Sequence, residues 1–269
     1  MHGLGNDFVV INGLEQSFEP TADSMRHIAD RRRGVGCDQV LLLEASDSAT
    51  ADFRYRIFNA DGNEVEQCGN GVRCVGKYLK DRELLHKSTA SLMTCNGLMT
   101  IHYEQDGQVR VDMGAPIFEP REIPLNLDQR QSSYEISQGD VSLQLMAVSM
   151  GNPHAVLLVD DVDKADVEFL GPLVQSQALF PNGVNVGFMQ VVDTEAIRLR
   201  VYERGVGETD ACGSGACAAV ATGINAGRLG PEVVVSLNGG DLKINWDGEG
   251  QPLWMTGPAV TVYEGQIEI

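Results

Sequence analysis

Two short segments concentrate the reactive side chains of this chain. Residues 64–76 read EVEQCGNGVRCVG and residues 208–220 read ETDACGSGACAAV, so Cys68 and Cys212 each enter a Cys-Gly-x-Gly turn, 144 residues apart. Small and apolar residues follow each turn, as where a turn opens a helix. The first N–H groups of a helix lack intrahelical acceptors and carry partial positive charge. Glycines at 69, 71, 213 and 215 let a ligand approach the bare backbone. The result suits a carboxylate, and a cysteine at its mouth is expected to have a lowered pKa. Two such turns sharing one ligand would set a thiol on each side of the carbon next to that carboxylate. One thiolate would remove the α-proton while the opposite thiol supplied a proton to the other face, inverting the centre. The two groups must hold opposite protonation states, and such a pair titrates as a unit.

Competing chemistries fit less well. Cys37, Cys74, Cys95 and Cys217 read as small apolar residues, with Cys74 and Cys217 packing inward from the helices. No Cys-x-x-Cys is present, and the spacings 68–74 and 212–217 are not zinc intervals, so no metal is expected. GNGVRC lacks the third glycine of a dinucleotide site. None of the five lysines sits in a Gly-rich loop that would suit a pyridoxal Schiff base. A thiol redox or thiol-binding protein that transfers no proton is the rival from another class.

Composition narrows the setting. The 269 residues suffice for one large domain or two ordinary ones, and 43% hydrophobic content is enough to bury a core. The net charge of −18 reads as a solvated acidic surface and disfavours nucleic acid as partner. No apolar run reaches the roughly 20 residues of a membrane helix. MHGLGNDFVV has no signal-peptide pattern, so a cytoplasmic protein with reduced thiols is expected.

The elements around the turns are written twice. Arg56 (in RYRIFN) and Arg200 (in RLRVYE) each stand twelve residues before their cysteine, and Asn59 falls at the register of Glu203. GNDFVV (5–10) matches GNPHAV (151–156), and GVGCDQV (34–40) loosely matches GVNVGFM (183–189), at offsets of 146 and 149. An ancient duplication into two similar domains explains this order; a solenoid would repeat at roughly 20–50 residues. Each half predicts a strand (7–12; 154–159), a helix, two strands (39–45 and 52–58; 184–192 and 196–203), the Cys turn with its helix (70–83; 214–227), and closing hairpins. The first helix is expected to start at Thr21 or Asp23 and to be closed by Arg31-Arg32-Arg33 before Gly34; residues 163–179 are its weaker counterpart. GACAAVATGI is apolar almost all round, which places it inside. The expected class is α+β: two pseudo-symmetric domains, each a mostly antiparallel sheet rolled around a central helix, with the active site in the cleft between them. The boundaries expected are 1–112 plus 258–269 for the first and 113–257 for the second.

With these segments in view, the chain closely resembles the diaminopimelate epimerases. The likeness rests on MHGLGNDF (1–8), RRRGVGCDQ (31–39), FNADGNEVEQCGNGVRC (58–74), GNPHAV (151–156), PNGVNVGF (181–188) and YERGVGETDACGSGACA (202–218). The wider group with proline racemase-like enzymes shares the two cysteines but not this set of Asn, Glu and Arg. The resemblance implies a cofactor-independent epimerase interconverting LL- and meso-diaminopimelate, with Cys68 and Cys212 as bases. It implies substrate contacts from Asn6, Gln39, Asn59, Asn152 and Asn185, and a carboxylate fork from Arg204. It gives Glu203 to an ammonium group and to the catalytic set, and His154 to a place beside the catalytic pair. Gly69-Asn70 and Gly213-Ser214 would hold the reacting carboxylate. Family members generally begin a few residues earlier, so either a shortened first strand or an upstream start is expected. A homodimer with Tyr263 near the contact is also implied.

Overall fold

The computed structural model describes residues 1–65, 69–139 and 141–269. The chain divides into two compact units, Met1–Asp112 with Thr256–Ile269, and Met113–Met255.

The first unit contains β1 (His2–Gly3), β2 (Asn6–Asn12), α1 (Ala22–Ala29), β3 (Gln39–Ala45), β4 (Phe53–Asn59), β5 (Glu64–Val65), α2 (Gly69–Asp81), β6 (Thr89–Thr94), β7 (Gly97–Tyr103) and β8 (Val109–Asp112). Strand β2 pairs parallel with β3, β3 antiparallel with β4, β4 antiparallel with β5 and parallel with β6. β6, β7 and β8 continue as antiparallel hairpins. Residues 40–43 of β3 are fully buried because helices cover both faces. Val40 and Leu42 pack with Met25 and Ile28 of α1, while Leu41 reaches Gly71 of α2. Fully burying such a side chain stabilises by about 1.5–3 kcal/mol.

The second unit contains β9 (Tyr134–Gln138), β10 (Val141–Ser149), β11 (Pro153–Leu158), a 3₁₀ turn (Val162–Lys164), α3 (Val167–Gln175), β12 (Asn185–Val191), β13 (Ala196–Glu203), β14 (Gly207–Thr209), α4 (Gly213–Asn225), β15 (Glu232–Leu237) and β16 (Gly240–Trp246). A last strand, β17 (Leu253–Gly257), carries the chain back toward the first unit. β11 pairs parallel with β12, β12 antiparallel with β13, β13 antiparallel with β14 and parallel with β15, and β15 antiparallel with β16. The order and sense of pairing repeat those of the first unit. Residues 215–223 of α4 are buried on every side, so the helix is the interior of its unit, as its apolar sequence predicts.

Pairing fixes the repeat more tightly than sequence matching. Phe8 faces Gln39 across β2–β3, and His154 faces Asn185 across β11–β12. Gln39 and Asn185 are therefore equivalent, at the same offset of 146 that relates Asn6 to Asn152. The match at 149 slips three residues from this register and is corrected. A second correction concerns the arginine run. Helix α1 ends at Ala29, and Arg31–Arg33 form a turn beyond it. The Asp30 carboxylate accepts the N–H groups of Arg32 and Arg33 at 2.8 and 3.0 Å and ends the helix early. The start of α1 is as read: Thr21 and Ser24 form a reciprocal capping box.

Candidate active site

In the second unit the cysteine turn is built as its sequence suggests. Cys212 is the N-cap of α4 and is 5% exposed. Its Sγ accepts the Gly215 N–H at 3.4 Å and lies 3.6 Å from the Ser214 hydroxyl. Glycine at 215 leaves the sulfur room, since a Cβ there would stand 3.2 Å from it and press on it. A polar chain leads away from the turn. The Asn152 amide nitrogen donates to Ser214 Oγ at 3.4 Å, and Asn152 Oδ1 meets His154 Nε2 at 3.0 Å. Because the amide oxygen can only accept, the His154 proton resides on Nε2. His154 is buried, and burial, with the nearby Arg204 charge, pushes its pKa down to about 3. It is a neutral imidazole.

The Cys212 thiol departs from the helix-terminus expectation. Burial raises its pKa well above the usual range, and the Glu203 carboxylate raises it further. The contacts to Ser214 and Gly215 pull the other way and lose. A helix N-terminus favours a thiolate only modestly at such a site, whereas removing the charged form from water dominates. Burial thus favours the protonated thiol of Cys212.

Two more of the expected contacts lie on the neighbouring strands. Asn185 Oδ1 accepts the Arg204 N–H at 2.9 Å, and its amide nitrogen reaches the Pro153 carbonyl at 3.3 Å. The Arg204 guanidinium donates to the Asn182 carbonyl at 2.9 Å. Thr209 donates its hydroxyl to Glu203 at 2.6 Å, a contact the sequence reading missed. Below this end of β13, Arg200 forks onto Glu208 at 2.6 and 2.8 Å and donates to the Val162 and Ala165 carbonyls.

The first unit carries the equivalent pieces. Gln39 donates to Asn59 at 2.8 Å across β3–β4. The Asn70 amide nitrogen donates to Asn6 Oδ1 at 3.2 Å. Arg56 forks onto Glu64 at 2.9 and 2.7 Å, repeating the Arg200–Glu208 clasp. Cys68 lies outside the described residues. Cys74 and Cys217 are fully buried, as expected of helix residues that pack inward. Cys95 is instead exposed, at the turn after β6, because that hairpin end carries it clear of the core. Among the described residues, no cluster of three or more His, Cys, Asp or Glu is placed to hold a metal, and no helix is long and apolar enough to cross a membrane.

The model of the diaminopimelate epimerase family matches residues 1–119 and 146–262. The chain belongs to that family. A diaminopimelate epimerase of Nitrosospira multiformis is 53% identical over 269 residues, covering 100% of this chain and 97% of that one. One of Alkalilimnicola ehrlichii is 55% identical over 271 residues, with the same coverage. Membership makes the chain an isomerase of the epimerase kind. The α+β class and paired architecture also recur in solved structures of low identity. A hydroxyproline epimerase from Agrobacterium vitis, with bound trans-4-hydroxy-L-proline, superposes at a TM-score of 0.69 and 18% identity, covering 97% of this chain and 89% of that one. A Bacillus anthracis phenazine biosynthesis protein of the PhzF family gives 0.69 at 20% identity, covering 100% and 95%. At that identity the likeness concerns the fold alone.

Proposed function

We propose that this chain interconverts LL- and meso-diaminopimelate, without a cofactor, by a two-base exchange between Cys68 and Cys212, in the synthesis of lysine and cell-wall precursors. The observation that carries the reading is the buried Cys212 at the mouth of α4, held between Ser214 and Gly215 in a chain of this family. The α-proton of an amino acid is a weak acid, so its removal needs both a base and relief of the charge developing on the carboxylate. First-turn N–H groups at Gly213-Ser214, and those of Gly69-Asn70, would supply that relief as preorganised donors. Cys68 as thiolate takes the proton from one face of the α-carbon while the Cys212 S–H gives its proton to the other. The products are the inverted centre, a Cys68 thiol and a Cys212 thiolate; the reverse reaction starts from that state. The Gly215 N–H and the Ser214 hydroxyl then stabilise the new thiolate on Cys212.

Arg204 and Glu203, with the amides of Asn59, Asn152 and Asn185, would select a substrate with a second amino-acid end. An enzyme acting in the cytoplasm as a homodimer, with Tyr263 in the contact, completes the proposal; Tyr263 is 63% exposed in the single chain. The test is incubation with diaminopimelate in heavy water with no cofactor added. Deuterium should enter at an α-carbon, and proline or alanine should exchange far more slowly. Absence of deuterium uptake from diaminopimelate would overturn the substrate.

A further inference from the structure

A line of hydrogen bonds in the first unit ends on a residue that the reading of the site leaves without a task. Arg73 sits one turn into α2 and is fully buried. It donates to the Gly69 carbonyl at 3.2 Å, to Asn70 Oδ1 at 3.0 Å and to the Pro258 carbonyl at 3.3 Å. Asn70 donates in turn to Asn6 Oδ1, and the Asn6 amide nitrogen donates to Asp38 at 2.8 Å. Asp38 is held by Arg31, at 2.7 Å, which also forks onto Asp7. The two ends of this line set the donor and acceptor roles along it. A guanidinium can only donate and a carboxylate can only accept. Asn70 must therefore turn its oxygen to Arg73 and its nitrogen to Asn6, and Asn6 must turn its oxygen to Asn70 and its nitrogen to Asp38.

The second unit runs the other way. There the donors point from His154 through Asn152 to Ser214, toward the cysteine turn, and Cys217 stands at the position of Arg73. Asn152 is the counterpart of Asn6 and Ser214 of Asn70, so one scaffold carries two lines of opposite polarity.

We infer that Arg73 and Asp38 act as the two terminals that orient Asn6 and Asn70, and so position the Gly69-Asn70 turn for the substrate carboxylate. The inference rests on the proposed epimerase reading for its catalytic consequence, but not for its structural one. In this assignment Arg73 and Asp38 act on the substrate through the two asparagines. A lysine at 73 keeps the charge but not the fork that spans Gly69 and Asn70. An asparagine at 38 can donate or accept, so it no longer dictates the orientation of Asn6.

Two measurements test this on the full chain. In ¹⁵N–¹H spectra without substrate, Asp38→Asn should shift the side-chain amide of Asn70, two hydrogen bonds away; an unmoved Asn70 signal overturns the line whatever the enzyme's substrate. In the deuterium-uptake assay, Arg73→Lys should lower kcat/KM about tenfold or more and Asp38→Asn about threefold, since small misplacements near reacting atoms are costly. The double variant should lose no more than Arg73→Lys alone, because both break one line. Losses that multiply, or wild-type kcat/KM in both folded single variants, overturn the catalytic role. If the wild-type chain takes up no deuterium, the substrate reading fails, and the spectra still decide the hydrogen-bonded line.

Discussion

The two units share a strand plan and differ where charge meets the cysteine turns. Asn59 in the first becomes Glu203 in the second, Asn70 becomes Ser214, Arg73 becomes Cys217, and Phe8 becomes His154. The Arg56–Glu64 and Arg200–Glu208 clasps, by contrast, survive in both. A duplicated scaffold thus keeps the residues that tie strand to strand and varies those that set polarity. The proposed two-base reaction needs one acid and one base from equivalent positions, and this asymmetry would supply them. The second turn, with a carboxylate nearby and full burial, keeps its proton.

The largest break in the comparison is removal of the sulfurs. Cys212→Ala or Cys68→Ala should lower α-deuterium uptake by about 10²–10⁴-fold, the range expected of a lost general acid or base, with circular dichroism unchanged. Full turnover in either variant would exclude that cysteine. Next come the clasps. Glu208→Gln should destabilise by about 2 kcal/mol, because the Glu208 carboxylate is only 18% exposed and its loss strands the Arg200 charge in a poorly solvated pair. Glu64→Gln should cost about 1 kcal/mol, since that carboxylate is 33% exposed and water screens the pair. Arg56 also retains its position over the Phe58 ring, 5.0 Å away. Urea denaturation of both variants checks the order; equal losses would show that burial does not set the difference.

The equivalent glycines inside the turns sharpen the contrast. A Cβ at Gly71 would lie 2.6 Å from the Tyr55 hydroxyl and 3.2 Å from Leu41. Gly71→Ala should therefore destabilise by ~1–3 kcal/mol through overpacking. A Cβ at Gly215 would meet Val201 at 3.0 Å and the Cys212 sulfur at 3.2 Å. There the helix gains about 1 kcal/mol of propensity, so Gly215→Ala should stay near wild-type stability. Its pressure on the thiol should still slow deuterium uptake about tenfold. A stable, fully active Gly215→Ala variant would show that the sulfur's position tolerates more than this geometry suggests.

Much of this was legible because it is local. Period-two patterns gave the strands, Thr21 gave the start of α1, and the apolar stretch after Cys212 gave a buried helix. The failures are long-range. Asp30 stops the helix locally, but the Arg31 charge pairs with Asp38 and with Asp7, 24 residues upstream, and not with the helix end. The charge state of Cys212 depends on how deeply the fold buries it and on Glu203, nine positions away across β14. Arg73 had no reading from the sequence, although its i,i+3 spacing from Asn70 was a signal that could have linked it to the turn.

The last effect concerns acid. His154 is fully buried with its pKa at about 3, against 6.5 for an ordinary histidine. Between those values the unfolded chain binds a proton that the folded chain refuses, so stability rises with pH there. The contribution is complete above about pH 6.5 and is lost as pH falls toward about 3. The expected loss is ~0.7 kcal/mol from pH 7 to pH 6, approaching ~1.4 kcal/mol per pH unit below that. Phe8 at the same position in the first unit has no proton to bind, so the effect belongs to the second unit. Other carboxylates also titrate as acid is added, which makes the difference between wild type and His154→Gln the informative quantity. Glutamine can still donate to Asn152 and does not titrate, so its denaturation midpoint should fall less steeply between pH 7 and pH 5. Parallel slopes for the two proteins would mean that His154 takes up its proton inside the fold, and that the neutral donor at the head of the Asn152–Ser214 line is not what holds it there.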